Sequence, residues 1–381
     1  MTANQRPTIS IDIPTRQGPL SVLFSEAVTP KSRLQCSKLA RTAFGKSLSE
    51  AQFLEREALL GAHPLASGTG LRFWTLTLAG GNAGDGEEAN VLALCRTLHR
   101  DLLIRDAEGT RRGQGYCICT VVTRDEYRGR GLASVLLGKV AEWIDGEGGA
   151  VASMLYSDVG DFYVSKGWDI LDAFQSTLAV PTSLPSEEKR GKLPVTRLLA
   201  AKEIPELAER DVQDLEEEFR KSELTSDSTL LTVLPTPDMI SWLYTRADFM
   251  NATLAGKTLE AKGSICESAG SWVYWFHDLH AHKMTIQRVK LPKDQDSETT
   301  TQALAAVLLS AVEEAARWST TKVIVWNPGQ EIKNATKYLA EEFGIEVEEE
   351  ERGSSNIPCL RWKGDEKRKT RVFPNEYYAW S

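Results

Sequence analysis

Apolar residues recur at helical or strand spacing along most of the chain. Leu34, Leu39 and Ala43 predict a helix over Lys31–Phe44, and Phe53, Leu54 and Ala58 predict another over Glu50–Ala62. Alternating or continuous apolar runs predict strands at Ser21–Val28, Leu71–Leu78, Val91–Leu98 and Tyr116–Thr123. Gly80–Glu88, rich in glycine and acid, reads as a loop. Leu132, Leu136, Val140 and Trp143 share one face of a helix over Leu132–Ile144. A strand at Val151–Tyr156, a short helix at Asp161–Lys166 stopped by Gly167, and a strand at Phe174–Val180 follow. Beyond these, helices are expected near Ile204–Lys221, Pro237–Phe249, Thr301–Trp318 and Ile332–Phe343. Strands are expected at Ser271–Phe276, Met284–Lys290, Lys322–Trp326, Ile345–Glu350 and Cys359–Trp362.

This string contains a repeat. The order strand, helix, strand, helix, strands runs once from Tyr116 and again from Met284. Between the copies, Pro181–Lys192 mixes proline and glycine with Ser, Glu and Lys, as linkers do. The expected organisation is a loose leader over 1–19, a first domain over 20–180, a linker over 181–192 and a second domain over 193–381. The 381 residues suit two domains of ordinary size.

Composition narrows the class. Hydrophobic residues make up 41% and charged residues 26%, and ten Trp and eleven Phe supply ample core, which argues against disorder. The net charge of −8 disfavours nucleic acid as a partner and suits a small cationic substrate. No apolar run approaches the ~20 residues that span a bilayer, and the first twenty residues carry no signal-peptide core. Six Cys are scattered without a CxxC pair, so the chain reads as cytoplasmic and reduced. Cys117 and Cys119 alternate on one strand and read as small buried residues.

The chemistry concentrates in Thr120-Val-Val-Thr-Arg-Asp-Glu-Tyr-Arg-Gly-Arg-Gly-Leu-Ala133. It is a strand, a turn, two glycines and a helix start. Glycines let backbone N–H groups converge on one point, and a helix N-terminus adds about half a positive charge. Arg128 and Arg130 add full charges, so the segment reads as a site for a pyrophosphate. The Lys-Ser/Thr ending of a Walker loop is absent, as is the three-glycine dinucleotide spacing.

With its flanks, this loop resembles the acetyl-CoA signature of the GNAT acetyltransferases. The resemblance implies an α/β (α+β) GNAT fold, a mixed central sheet with flanking helices, in the first domain. It implies that the backbone of Val121, Val122 and Thr123 binds the pantetheine arm. The amides of Arg128, Gly129, Arg130, Gly131, Leu132 and Ala133 would hold the pyrophosphate. Asp161-Phe-Tyr-Val-Ser-Lys-Gly-Trp168 resembles the family's Tyr-x-x-x-Gly-aromatic motif. Tyr163 then stands where a tyrosine protonates the departing thiolate, as a phenol of pKa ~10 is able to do. Pro292–Thr301 replaces the glycine loop in the second copy, so a degenerate GNAT-like lobe without a pyrophosphate cradle is expected.

The overall layout, with its ending Asn375-Glu-Tyr-Tyr-Ala-Trp-Ser381, resembles fungal free-lysine N6-acetyltransferases. That resemblance implies an amine partner, L-lysine, and a place in lysine degradation. The alternatives are an aminoglycoside, a polyamine or a protein lysine as acceptor, or a non-catalytic acetyl-CoA-binding scaffold. Where that family commonly has an acid after the Cys of its third strand, Leu94-Cys95-Arg96-Thr97 has Arg96, so no substrate role is assigned to this strand. Asp158 and Glu126 are the carboxylates considered as proton acceptors.

The aromatic tail should dock between the domains, because Tyr377, Tyr378 and Trp380 are costly to leave in water. Tyr378, Trp380 and the carboxylate of Ser381 are therefore expected at the amine site. The cluster His277, His280 and His282 fits no zinc spacing and reads as a polar hairpin, with no metal called for. Glu346 and Glu348–Glu351 read as a solvated strand edge.

Overall fold

The computed structural model describes residues 8–15, 18–80, 91–225, 227–364 and 369–380. Most of the expected Gly80–Glu88 loop, and Ser381, lie outside them. The first half contains strands β1 (Ile9–Ile13) and β2 (Leu20–Glu26), helices α1 (Pro30–Phe44) and α2 (Glu50–Gly61), and strands β3 (Leu71–Leu78), β4 (Val91–Asp106) and β5 (Gly109–Thr123). Helix α3 (Leu132–Asp145) and strands β6 (Ala152–Ser157), β7 (Asp169–Ile170) and β8 (Phe174–Ala179) follow. The second half runs α4 (Glu187–Arg190), β9 (Arg197–Ala200), α5 (Ile204–Lys221), β10 (Ser228–Val233), α6 (Pro237–Ala255), β11 (Ala261–Cys266), β12 (Ser271–Asp278) and β13 (Lys283–Lys290). It ends with α7 (Ser297–Arg317), β14 (Lys322–Trp326), α8 (Gln330–Phe343), β15 (Val347–Glu351), β16 (Ile357–Trp362) and β17 (Lys369–Val372).

Local chemistry starts and stops the helices. Thr29 and Ser49 close capping boxes on α1 and α2, and Thr236 with Pro237 opens α6. Gly256 and Gly344, both left-handed, end α6 and α8.

The two sheets do not divide where the linker does. The first runs β1-β2-β3-β4-β5-β6-β16-β7, and the second runs β15-β8-β14-β13-β12-β11-β9. Strand β8, from the first half, completes the second sheet by pairing with β14 and β15. Strand β16, from the second half, takes the vacated place beside β6. The exchange thus falls between Ile170 and Phe174, before the Pro181–Lys192 segment. The leader differs too, because Ile9–Ile13 pairs antiparallel with β2 and buries Ile13.

Strands β4 and β5 form a longer hairpin than their apolar patterns predict. Its far end, Leu102–Arg105, pairs with β10, which in turn pairs with β17. Leu103 packs there against Val212, Leu215 and Phe219 of α5. That contact compensates for the polar residues that interrupt the strand pattern.

Helix α3 covers one face of the first sheet, with Trp143 against Trp74 and Tyr116. Helix α7 does the same for the second sheet, and twelve of its residues are buried. A third core joins the halves: Cys117 and Met154 from the first sheet meet Trp272, Tyr274 and Phe276 from the second, with Met239 of α6 between them. Those aromatics on β12 are packing residues. Among the described residues no helix is long and apolar enough to cross a membrane.

Candidate functional site

Strands β5 and β6 pair in parallel only from Gly115–Cys117 to Ala152–Met154. Beyond that they diverge, because β5 carries a bulge. Its register with β4 slips between Leu94 and Arg96, and Thr120 adopts a φ of +55°. The diverging stretch of β5 therefore faces open space rather than another strand.

The glycine segment lies at the end of that gap. Gly131, with φ +83°, is the N-cap of α3 and offers no side chain to its first-turn N–H groups. Gly129 has φ +73°. A Cβ built at either glycine meets nothing within 4 Å. The two glycines are thus required by their left-handed backbone, and the cradle they form is open. Arg128 and Arg130 are braced from behind: Arg128 pairs with Asp125 at 2.9 Å, and Arg130 donates to the Glu126 carbonyl at 3.0 Å and lies over Tyr127. Leu132 is buried in the core, so in that residue the backbone faces the cradle.

A cavity of about 320 Å³ opens from the gap. Ile118, Cys119, Thr120 and Val121 form one wall, and Leu155, Tyr156 and Tyr163 form the opposite one. Val122 points away, into the core under α1. Tyr163 is held by the turn that Gly167 ends at φ +89°. Burial pushes its phenol above the ordinary value, with Cys95, Cys359 and last Asp158 adding to it, so it stays protonated near neutrality.

The deep end of the cavity is built from distant segments and is strongly charged. Glu57 of α2 is paired with Arg56 at 2.9 Å and with Arg96 of β4. Burial pushes the Glu57 carboxyl up, but the two guanidiniums together outweigh burial and hold it below the usual carboxylate range. Arg96 also lies over the Phe73 ring at 4.5 Å. The residue that departs from the resembled pattern therefore lines the cavity, and Glu57 supplies a carboxylate beside it from another element.

Helix α6 brings in Trp242 and Arg246, one turn apart on the same face. Arg246 lies over the Trp380 ring at 4.7 Å and forms no ion pair among the described residues. Its charge, with that of Arg96 and after burial, helps to lower the pKa of Arg56. Asp158 stands at the other side of the cavity and accepts from the Asn356 N–H at 2.8 Å. Glu126 does not reach the cavity; it sits on the exposed turn before Arg128.

The tail is divided. Trp380 lines the cavity and donates from its indole N–H to Asn356 at 2.8 Å. Tyr378 does not line it. It is fully buried, donates to the Val233 carbonyl at 2.6 Å and contacts Thr232, and so fastens the tail to β10. Glu57, Arg56 and Arg246 carry no motif that sequence inspection would single out. Their common signal, a charged residue on the apolar face of a helix, emerges only when burial is known.

The family model described as the LYC1 GNAT-like C-terminal domain matches residues 181–381. A lysine acetyltransferase of Yarrowia lipolytica is 24% identical over 380 residues, covering 88% of this chain and 93% of that one. Among solved structures, a GCN5-related N-acetyltransferase from Kribbella flavida superposes with a TM-score of 0.52 at 16% identity, covering 89% of this chain and 72% of that one. One from Anabaena variabilis gives 0.52 at 13% identity, with coverage of 88% and 72%. The fold, two GNAT-like lobes with a splayed strand pair in the first, is that of the GNAT N-acetyltransferases. The chain belongs to the LYC1-like GNAT family and is an acetyltransferase of that type.

Proposed function

We propose that this enzyme acetylates the ε-amine of free L-lysine with acetyl-CoA, by direct attack of the amine on the thioester. The carrying observation is one cavity that joins the β5–β6 gap and Tyr163 to an acid on one side, Asp158, and on the other to a guanidinium, Arg246, that has no ion pair among the described residues. The acetyl-CoA site passes a physical test of fit. The cradle at Gly129 and Gly131 is open to a Cβ, the first turn of α3 has no side-chain cap, and the bulged strand has lost its parallel partner beyond Cys117. Acetyl-CoA, when bound, supplies an acetyl group activated as a thioester.

The chain's own groups do the rest. The amides of Arg128 to Ala133 and the two arginines hold the pyrophosphate, and the backbone of Val121, Val122 and Thr123 aligns the pantetheine arm. Asp158 orients the lysine ε-ammonium and takes its proton directly or through water. A free amine is scarce at neutral pH, about one in a thousand at pKa ~10.4. Tyr163 returns a proton to the departing thiolate. Glu57, tied to two arginines and with its pKa depressed, is a weak base and serves to fix Arg96 and Arg56.

Arg246 distinguishes acceptors. Among the described residues, three guanidiniums, Arg56, Arg96 and Arg246, face the two carboxylates Glu57 and Asp158 around the cavity. The surplus positive charge matches the α-carboxylate of an amino acid and repels a polyamine or an aminoglycoside. An acetyl-CoA consumption assay across lysine, ornithine, cadaverine, spermidine, an aminoglycoside and a histone-tail peptide tests the reading. Free lysine should give the highest kcat/KM, and equal or better use of spermidine or the peptide would refute it.

A further inference from the structure

The second lobe repeats the geometry that opens the first. Strands β13 and β14 pair in parallel only from Lys283–Thr285 to Lys322–Ile324 and then separate. Strand β13 also slips register against β12 between Tyr274 and Trp275, so Gln287 occupies a bulge as Thr120 does in β5. A cavity of about 350 Å³ lies at this gap.

Two features differ. The helix that follows, α7, is capped by Asp296, whose carboxylate accepts from the Thr299 N–H at 2.9 Å and from its hydroxyl at 2.8 Å. The position open to an anion at Gly131 is thus filled by the chain's own carboxylate. The gap is also entered by the chain itself. Glu376 is buried there and accepts from the Val289 N–H at 2.9 Å and from Arg288 at 2.8 Å. Asn327, at the end of β14, donates to the Asn375 carbonyl at 2.5 Å. Residues from both sides of the gap therefore hold Asn375–Glu376.

The same segment continues to the amine site. Tyr377 packs on Trp326 at 4.3 Å and on Phe276 at 5.2 Å. Arg100 donates to the Ala379 carbonyl at 3.3 Å. Trp380 then lies under Arg246 and bonds Asn356, whose N–H holds Asp158.

We propose that the degenerate cofactor cleft of the second lobe is a docking site for residues 373–376, and that Glu376, anchored there, is a positioning residue for the acceptor site in the first lobe. The ligand class of this cleft is an acidic peptide, and its occupant is this chain's own tail. The strands stay separated around the tail, and Glu376 gives the Val289 N–H the acceptor that a paired strand would have supplied and adds one for Arg288. Anchoring at Glu376 fixes Trp380 and, through Asn356, the position of Asp158. The inference rests on the acceptor reading given above for its kinetic consequence, but not for its structural one.

Glu376→Ala in the full chain is the principal test. Arg288 keeps two bonds to Asp211, at 2.8 and 3.1 Å, so its charge stays paired and the fold should persist. Amide hydrogen exchange should rise across 375–380 while α3 and α7 keep their protection. The KM for lysine should rise about tenfold or more, with acetyl-CoA affinity within twofold of wild type. Glu376→Gln, which retains an acceptor for the Val289 N–H, should recover most of the loss. Asn327→Asp offers an independent variant. It keeps the oxygen that accepts from the Phe174 N–H but loses the donor to Asn375, and it should loosen the tail in the same direction.

Unchanged tail protection in both Glu376→Ala and Asn327→Asp would overturn the proposal, as would loss of protection spread evenly through both lobes. If wild-type enzyme ignores lysine, the acceptor reading fails alone, and the exchange experiment still decides the anchoring.

Discussion

Replacing Arg246 by Gln separates recognition of the acceptor from the chemistry. The guanidinium lines the cavity at the β5–β6 gap without an ion pair among the described residues, and it lies over the Trp380 ring at 4.7 Å. Its removal therefore orphans no carboxylate among the described residues. The stability cost should be limited to the stacking contact, about 0.5–1 kcal/mol. The binding cost is larger. A hydrogen bond to a charged group contributes about 1.5–3 kcal/mol net, which at about 1.36 kcal/mol per decade is roughly 10–150-fold in kcat/KM.

Cadaverine is lysine without its carboxylate, so the two substrates report this contact directly. Wild-type enzyme should prefer lysine by that factor, and Arg246→Gln should bring the ratio close to one. The loss should appear in KM, because the carboxylate contact is equally strong before and during acetyl transfer. Thiol release from acetyl-CoA, followed with both amines over a concentration series, measures all four constants. A lysine-to-cadaverine ratio unaltered by the substitution would refute carboxylate recognition by Arg246. So would a wild type indifferent to the carboxylate.

Other outcomes follow from the same geometry. Tyr163→Phe should lower kcat by about 10²–10⁴-fold with little change in the KM for acetyl-CoA, since the packed ring is kept and the proton is lost; a full rate would assign the proton to another group. Gly131→Asp would place a carboxylate in the open cradle and strain a backbone at φ +83°; calorimetry should then detect no acetyl-CoA binding to a protein that still melts cooperatively. Burial first, and then neighbouring Cys117, pushes the Cys119 thiol up to about 11. At pH 8 only about one molecule in a thousand carries the thiolate. Iodoacetamide at that pH should leave turnover intact, and Cys119→Ala should turn over normally, because no acyl-cysteine is needed. Rapid inactivation blocked by acetyl-CoA would contradict this.

The conformations of the glycine loop before α3 and of the Tyr163 turn could be read from the sequence because they are fixed locally. Two glycines at positive φ before an apolar helix face, and Gly167 four residues after Tyr163, act within a few residues of themselves. The second lobe's lack of a cradle was legible for the same reason, as Pro292–Thr301 carries no such glycines and Asp296 caps α7. The exchange of β8 and β16 was not. Both segments have apolar strand patterns, and nothing within either states which sheet supplies its neighbours. The charged end of the cavity was hidden by the same limit. Glu57, Arg96, Asp158, Arg246 and Trp380 come from five separate stretches, and a charge on a helix face looks solvated until packing removes the solvent. Arg96 appeared in sequence only as a departure from a family pattern; the fold paired it with Glu57. The tail's aromatics announced that it must dock, since apolar rings seek burial wherever they are. Which of them lines the cavity only the tertiary structure decided, where Glu376 just before them is held by Arg288 and Val289, 88 and 87 residues away along the chain.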